Sequence, residues 1–156
     1  MSLSVLIQRP SALIEEGALP SGFEYAITHS HAGIRCGYLK LLPGHPWHGA
    51  SYSDLADSAK AHRGLTFSDA DEAGDDGWWI GFDCAHPGDA FDWDLAIEAY
   101  RQVFEAVPSS FNLHNKGIVR TTEYVKDELE KLGLQAAEAI ALVSRQRSHT
   151  LRRQPR

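Results

Sequence analysis

The sequence predicts an α+β domain: a small antiparallel sheet of about four strands, covered by C-terminal helices. Three observations predict it. Residues 23–29 and 34–42 alternate apolar and polar side chains on either side of the turn-forming Ser30-His31-Ala32-Gly33, the mark of a hairpin. Residues 78–84 form a short, nearly continuous apolar block, the mark of a strand buried on both faces. Val125, Leu129, Leu132, Ala136, Ile140 and Val143 recur at spacings of 4, 3, 4, 4 and 3, one stripe of an amphipathic helix.

Taken in order, residues 1–22 carry Pro10, Gly17, Pro20 and Gly22 and read as a short strand or arm followed by a small helix around 11–16, capped by Ser11. The hairpin follows. Pro43, Gly44, Pro46 and Gly49 then stop the second strand and make a loop. A helical turn is expected over 53–60 with Ser53 as its cap, then a third strand over 62–67. Gly64 inside that strand predicts a bulge or a close approach by another group. The acidic stretch 68–77 is an exposed loop, and 78–84 is the central fourth strand. Trp78 and Trp79 are adjacent, so they point to opposite faces and argue for burial of both.

The apolar spacing from Asp94 to Val107 predicts a helix ended by Pro108, with a loop over 109–116. The last stripe keeps its phase through Gly133, which predicts one long helix although glycine costs roughly 1 kcal/mol relative to alanine. The expected organisation is a single domain over 1–146 and a basic, disordered tail over 147–156.

With 43% apolar and 23% charged residues the composition is that of a soluble globular protein, and no apolar run is long enough to cross a bilayer. The N-terminus lacks a basic region ahead of a long apolar stretch, so a cytoplasmic location is expected. Cys36 and Cys84 form no CxxC pair and are expected as buried thiols. The net charge of −6 is unevenly spread. No Lys or Arg lies between Arg63 and Arg101, while Asp69, Asp71, Glu72, Asp75, Asp76, Asp83, Asp89, Asp92, Asp94 and Glu98 all fall there. Such a body repels phosphates and excludes a long nucleic-acid groove. Arg145, Arg147, Arg152, Arg153 and Arg156 leave only a weak nucleic-acid contact through the tail.

The block Asp83-Cys84-Ala85-His86-Pro87-Gly88-Asp89 sets carboxylate, imidazole and carboxylate three residues apart at the bend that ends a strand. Two readings stand. Asp83, His86 and Asp89, joined by His62 across the sheet edge, would hold Zn, Mn or Fe, or transfer protons, with His62, Asp83 and His86 as catalytic groups. Alternatively, Asp83 accepts backbone N–H bonds in the turn and Asp89 caps a helix. His45 and Tyr52 on neighbouring loops, with Arg63, are candidate ligand-binding residues. No HExxH, GxSxG elbow or Gly-rich phosphate loop is present.

The order of these blocks resembles a family of small uncharacterised bacteriophage and bacterial proteins. Their pattern runs C-x-Y, G-H-P, H-G-G-L-T, W-W-x-G-F-D-C-A-H-x-G-D and then a helix with Y-V and E-x-x-x-L. Matching stretches here are Gly37-Tyr38, Gly44-His45-Pro46, His62-Arg63-Gly64-Leu65-Thr66, Trp78 through Asp89, and Glu123-Tyr124-Val125 with Glu128 and Leu132. The match covers about residues 36–132, and this chain departs from it at Arg63, where the family pattern has glycine. The resemblance implies a phage origin and a role in phage–host conflict.

Two functions are therefore expected in competition. One is a His/Asp pocket that binds a divalent metal or a small polar ligand and supports hydrolysis. The other is a non-enzymatic acidic protein that binds a basic host partner, such as a nucleic-acid-binding or defence factor.

Overall fold

In the computed structural model, which describes residues 12–30, 32–71, 74–101 and 116–151, the chain folds into a five-stranded antiparallel sheet backed by one long helix. The strands are β1 (Ala12–Ala18), β2 (Glu24–His29), β3 (Arg35–Leu41), β4 (Phe67–Ala70) and β5 (Trp78–Asp83), in the order β1-β2-β3-β5-β4. A two-residue strand β6 (Asp89–Ala90) leads into helix α1 (Trp93–Arg101). It pairs in parallel with β7 (Ile118–Val119), which precedes helix α2 (Thr122–Leu151).

The α+β class holds, with the sheet one strand larger than expected. The fifth strand is β1, which the sequence reads as a small helix. Its residues pair along β2 with a register shift between Leu13 and Glu15, and Glu15 accepts hydrogen bonds from Tyr25 Oη and Lys126 Nζ. A free sheet edge and two polar partners override a modest helical preference. The third strand is also displaced. It starts at Phe67 rather than His62, and residues 62–64 form a turn in which Arg63 and Gly64 both have positive φ, 53° and 101°. Gly64 is thus a turn residue with open space beside it, not a bulge under a close contact. The turn over 52–58 is capped by Ser51, whose Oγ accepts the Asp54 N–H, rather than by Ser53.

The main core lies between the sheet and α2. Tyr25, Ile27, Leu39, Leu41, Ile80 and Phe82 from the strands meet Val125, Leu129, Leu132 and Ala136 from the helix. Each Val, Leu, Ile or Phe side chain among them contributes about 1.5–3 kcal/mol by leaving water. Trp78 packs on this core and donates its indole N–H to the Ala50 carbonyl, while Trp79 is buried on the opposite face with Ala26, Tyr38 and Phe67. Cys36 and Cys84 occupy neighbouring strand positions on opposite faces, since Cys36 pairs with Asp83 and Cys84 bonds the Arg35 carbonyl. Both are free thiols.

α2 is a single helix through Gly133. It continues to Leu151, into the stretch read from the sequence as a basic tail. The predicted helix beyond Arg101, its Pro108 stop, the loop over 109–115, Ser11 and residues 152–156 lie outside the described residues. No helix among the described residues is long and apolar enough to cross a membrane.

Gly133 answers a question the sequence leaves open. Ser21 donates from its N–H and Oγ to Glu130, and that places Ser21 Oγ 2.3 Å from where a Cβ on residue 133 would sit. Steric exclusion at this crossing outweighs the helix preference for alanine. Gly133→Ala is therefore expected to lower stability by about 1–3 kcal/mol in urea denaturation, where propensity alone would raise it by about 1. Pairing it with Ser21→Gly should recover most of the loss.

Candidate functional site

The sequence-predicted block condenses around one carboxylate. Asp89 is fully buried at its side chain, 1% exposed, at the turn between β5 and β6. Asp89 N–H closes that turn on the His86 carbonyl. Asp89 Oδ2 accepts from the His62 ring at 2.7 Å and from the His86 backbone N–H at 3.1 Å. Its Oδ1 accepts from Arg120 Nε at 2.8 Å.

Each donor arrives from a different segment. His62 comes from the turn ahead of β4. Arg120 follows β7, and the parallel pairing of Asp89 with Ile118 brings it alongside. Arg120 is held from behind as well: its carbonyl accepts from Arg35 Nη1, and the same guanidinium donates to Thr122 Oγ1 and pairs with Asp92 at 2.9 Å. Thr121 caps α2 by accepting the Tyr124 N–H, so Tyr124 projects from the first turn to His62 Nδ1 at 2.8 Å.

A carboxylate only accepts, so His62 Nε2–H donates to Asp89. In the neutral ring Nδ1 is then bare and accepts the Tyr124 hydroxyl. The result is a chain from phenol to imidazole to carboxylate, closed by a guanidinium that also lies 4.8 Å over the Tyr124 ring. The His86 ring stacks on His62, with centroids 5.5 Å apart and planes 12° from parallel.

The electrostatics follow from this geometry. Burial pushes the Asp89 carboxyl up, but hydrogen bonds from Arg120, His62 and the His86 backbone outweigh it and hold it at about 2. Burial raises the Tyr124 phenol, helped by nearby Glu128, so it stays protonated. Burial also pushes the Cys84 thiol, close to Asp89, up to about 12.

Of the predicted site residues, His62, His86 and Asp89 come together. Asp83 stands at the margin: its Oδ1 accepts the Ala85 N–H, as the turn reading expected, and lies 3.8 Å from His86 Nδ1. Among the described residues no group of three or more His, Cys, Asp or Glu side chains is placed to hold a metal ion. The reason lies in the partners. Both Asp89 oxygens and both His62 nitrogens are committed to protein groups.

Arg63 is exposed, with its guanidinium beside Gly88 over the His86–Asp89 turn. Its left-handed backbone is the conformation glycine adopts freely. His45 and Tyr52 are elsewhere. His45 is buried, donates from Nε2 to the Ala136 carbonyl and accepts the Trp47 N–H at Nδ1. Burial lowers its pKa against the opposing pull of that carbonyl. It meets α2 about 18 Å along the axis from Tyr124. There it borders a half-open groove of about 420 Å³ with Phe23, Leu42, Pro43 and Ile140. Tyr52 is exposed on the acidic end of the sheet, where its N–H donates to Ser68 Oγ.

Sequence reasoning missed Arg120, and it noted Tyr124 only through the resemblance. The signal was faint: an isolated arginine just before a capping threonine, and a tyrosine one position before the apolar stripe.

In comparison with known proteins, no family model matches the chain, and no curated protein or solved structure shows significant similarity to it.

Asp89→Ala removes the acceptor of three donors and is expected to cost about 3 kcal/mol in urea denaturation at neutral pH. The carboxyl titrates near 2 in the fold, below its ordinary 3.8, so its stabilisation is fully present above about pH 4 and fades as pH falls toward 2. The gap between wild type and variant should close over that window. A gap that stays constant across it would show that Asp89 acts through packing alone.

Proposed function

We propose that this protein is a non-enzymatic binding protein that presents an acidic face to a partner with a basic surface. The observation that carries the reading is the arrangement of that face. Asp54, Asp57, Asp69, Asp75 and Asp76 are exposed on two adjoining segments, the turn over 52–58 and the β4–β5 region. The segments are fastened to one another. Tyr52 N–H donates to Ser68, Trp78 donates to the Ala50 carbonyl, and His48 Nε2 donates to the Asp76 carbonyl at 2.6 Å.

One exposed lysine, Lys60, reaches the Ala56 carbonyl of the turn, and a second, buried lysine supports the face from inside. Lys40 is 2% exposed at its side chain, bonded to Asp75 and, at 2.7 Å, to Asp71, and it lies over the Trp79 ring. The hydrogen bond from Lys40 holds Asp75 below its ordinary value. A fixed, predominantly acidic surface of this kind steers an oppositely charged partner and speeds encounter. The closed state of the His62–Asp89 network, whose groups are spent on one another, favours this reading over catalysis. Following the resemblance to phage proteins, the partner is a host nucleic-acid-binding or defence factor met in the cytoplasm.

The chain and a quadruple Asp→Asn variant at 54, 57, 69 and 76 should be titrated against basic nucleic-acid-binding host proteins, with an arginine-rich peptide as control. The expected result is association that weakens steeply with salt and an on-rate about tenfold lower in the variant, with unchanged circular dichroism. Salt-independent binding, equal in both proteins, would count against the proposal.

One observation favours a second reading, a small polar ligand at the His62–His86 stack. His86 Nε2 is buried and has no hydrogen-bond partner. A ligand that bonds this nitrogen would lie against the Tyr124–His62–Asp89 chain, with His62 as proton carrier. Nitrogen NMR of the imidazoles during titration with acetate, phosphate and acetamide should then move the His86 signal first. Resonances that stay fixed with all three would remove this reading.

A further inference from the structure

Past Ala136, α2 runs out of the core, and Ala139 packs against it only partly buried. Ala136 is fully buried, and no residue from 137 through 150 is. That stretch extends the helix by about 20 Å. The outward face of α2, away from the stripe that packs on the sheet, carries Leu134, just ahead of that stretch, and Leu142 within it, 57% and 50% exposed. Glu138, Ala141 and Arg145 fall on the same face at helical spacing. Within one chain Arg145 bonds Glu138 across two turns, arching over Ala141.

We propose that this face joins two copies of the chain, with their α2 extensions packed antiparallel about a two-fold axis between Ala141 and Leu142. Charge identifies the occupant. In that register residue 138 of one copy lies opposite residue 145 of the other, so a single two-fold axis forms two Glu138–Arg145 pairs. Ala141 meets Leu142 at the centre, and the small alanine lets the helices approach. A parallel pairing would set Glu138 against Glu138 and Arg145 against Arg145, which repels. The pairing is self-complementary, as a two-fold contact requires, and it leaves the sheet, the His45 groove and the acidic face uncovered. The contact spans only a few turns and falls short of the ~1,600 Å² of a standard stable interface, so the dimer is weak and concentration-dependent.

Sedimentation velocity on the full chain over a concentration series tests the proposal. The expected result is a reversible monomer–dimer equilibrium that Leu142→Glu abolishes with helix content unchanged. Glu138→Arg and Arg145→Glu should each weaken the dimer about tenfold, because each turns both pairs into like charges. Mixing the two single variants should restore association as a heterodimer, where every 138–145 contact is again opposite in sign. Charge pairing confined to one chain predicts no such rescue. A chain that stays monomeric at every concentration overturns the proposal. So does a dimer that survives Leu142→Glu, which would place the contact on another surface, or a mixture of the two variants that fails to associate.

Discussion

The buried Asp89 carboxylate is the point on which the arrangement of this molecule turns. A bare carboxylate at 1% exposure would be prohibitively costly, so the fold must bring donors to it. It does so from three directions, and those donors fix the relative positions of the turn before β4, the β5–β6 turn and the start of α2. Arg35 then ties the same region to β3 and to the entrance of α1. A short parallel pairing of two-residue strands, too small to be stable alone, persists because ion pairs and hydrogen bonds hold both its ends.

A network of this kind has the connectivity of a proton relay, and chemistry alone would allow that role. Burial and partner count set its character. His62 is 4% exposed at its side chain, and both its nitrogens are occupied. Fully satisfied buried networks of this kind rigidify the segments they join. The surfaces they hold in place differ in sign. Carboxylates gather at the β4–β5 end around a buried lysine, while arginines mark the far end of α2.

How much of this was legible in the sequence can be judged residue by residue. The hairpin of β2 and β3, the buried β5 and the long α2 follow from periodicity, because period 2 and period 3.6 reflect which face of each element is covered. β1 was misread, since Ala-Leu-Ile-Glu-Glu suits a helix until a sheet edge, Tyr25 and Lys126 supply partners for it. His62 was placed in a strand because its neighbours are apolar, whereas the positive φ at Arg63 and Gly64 makes a turn there. The meeting of His62 with His86 was anticipated from the pairing of the two strands. The role of Arg120 was not, because nothing local marks an arginine that will find a carboxylate 31 residues earlier.

The class of fold, the strand and helix faces and the uneven charge could be read locally, because each is a property of composition or of spacing along a few turns. Whether the histidines and aspartates would face an open pocket or one another was settled by the folded chain. That outcome depends on register, on a single parallel pairing and on the point where α2 crosses the sheet, and all three are set by contacts between residues far apart in the chain.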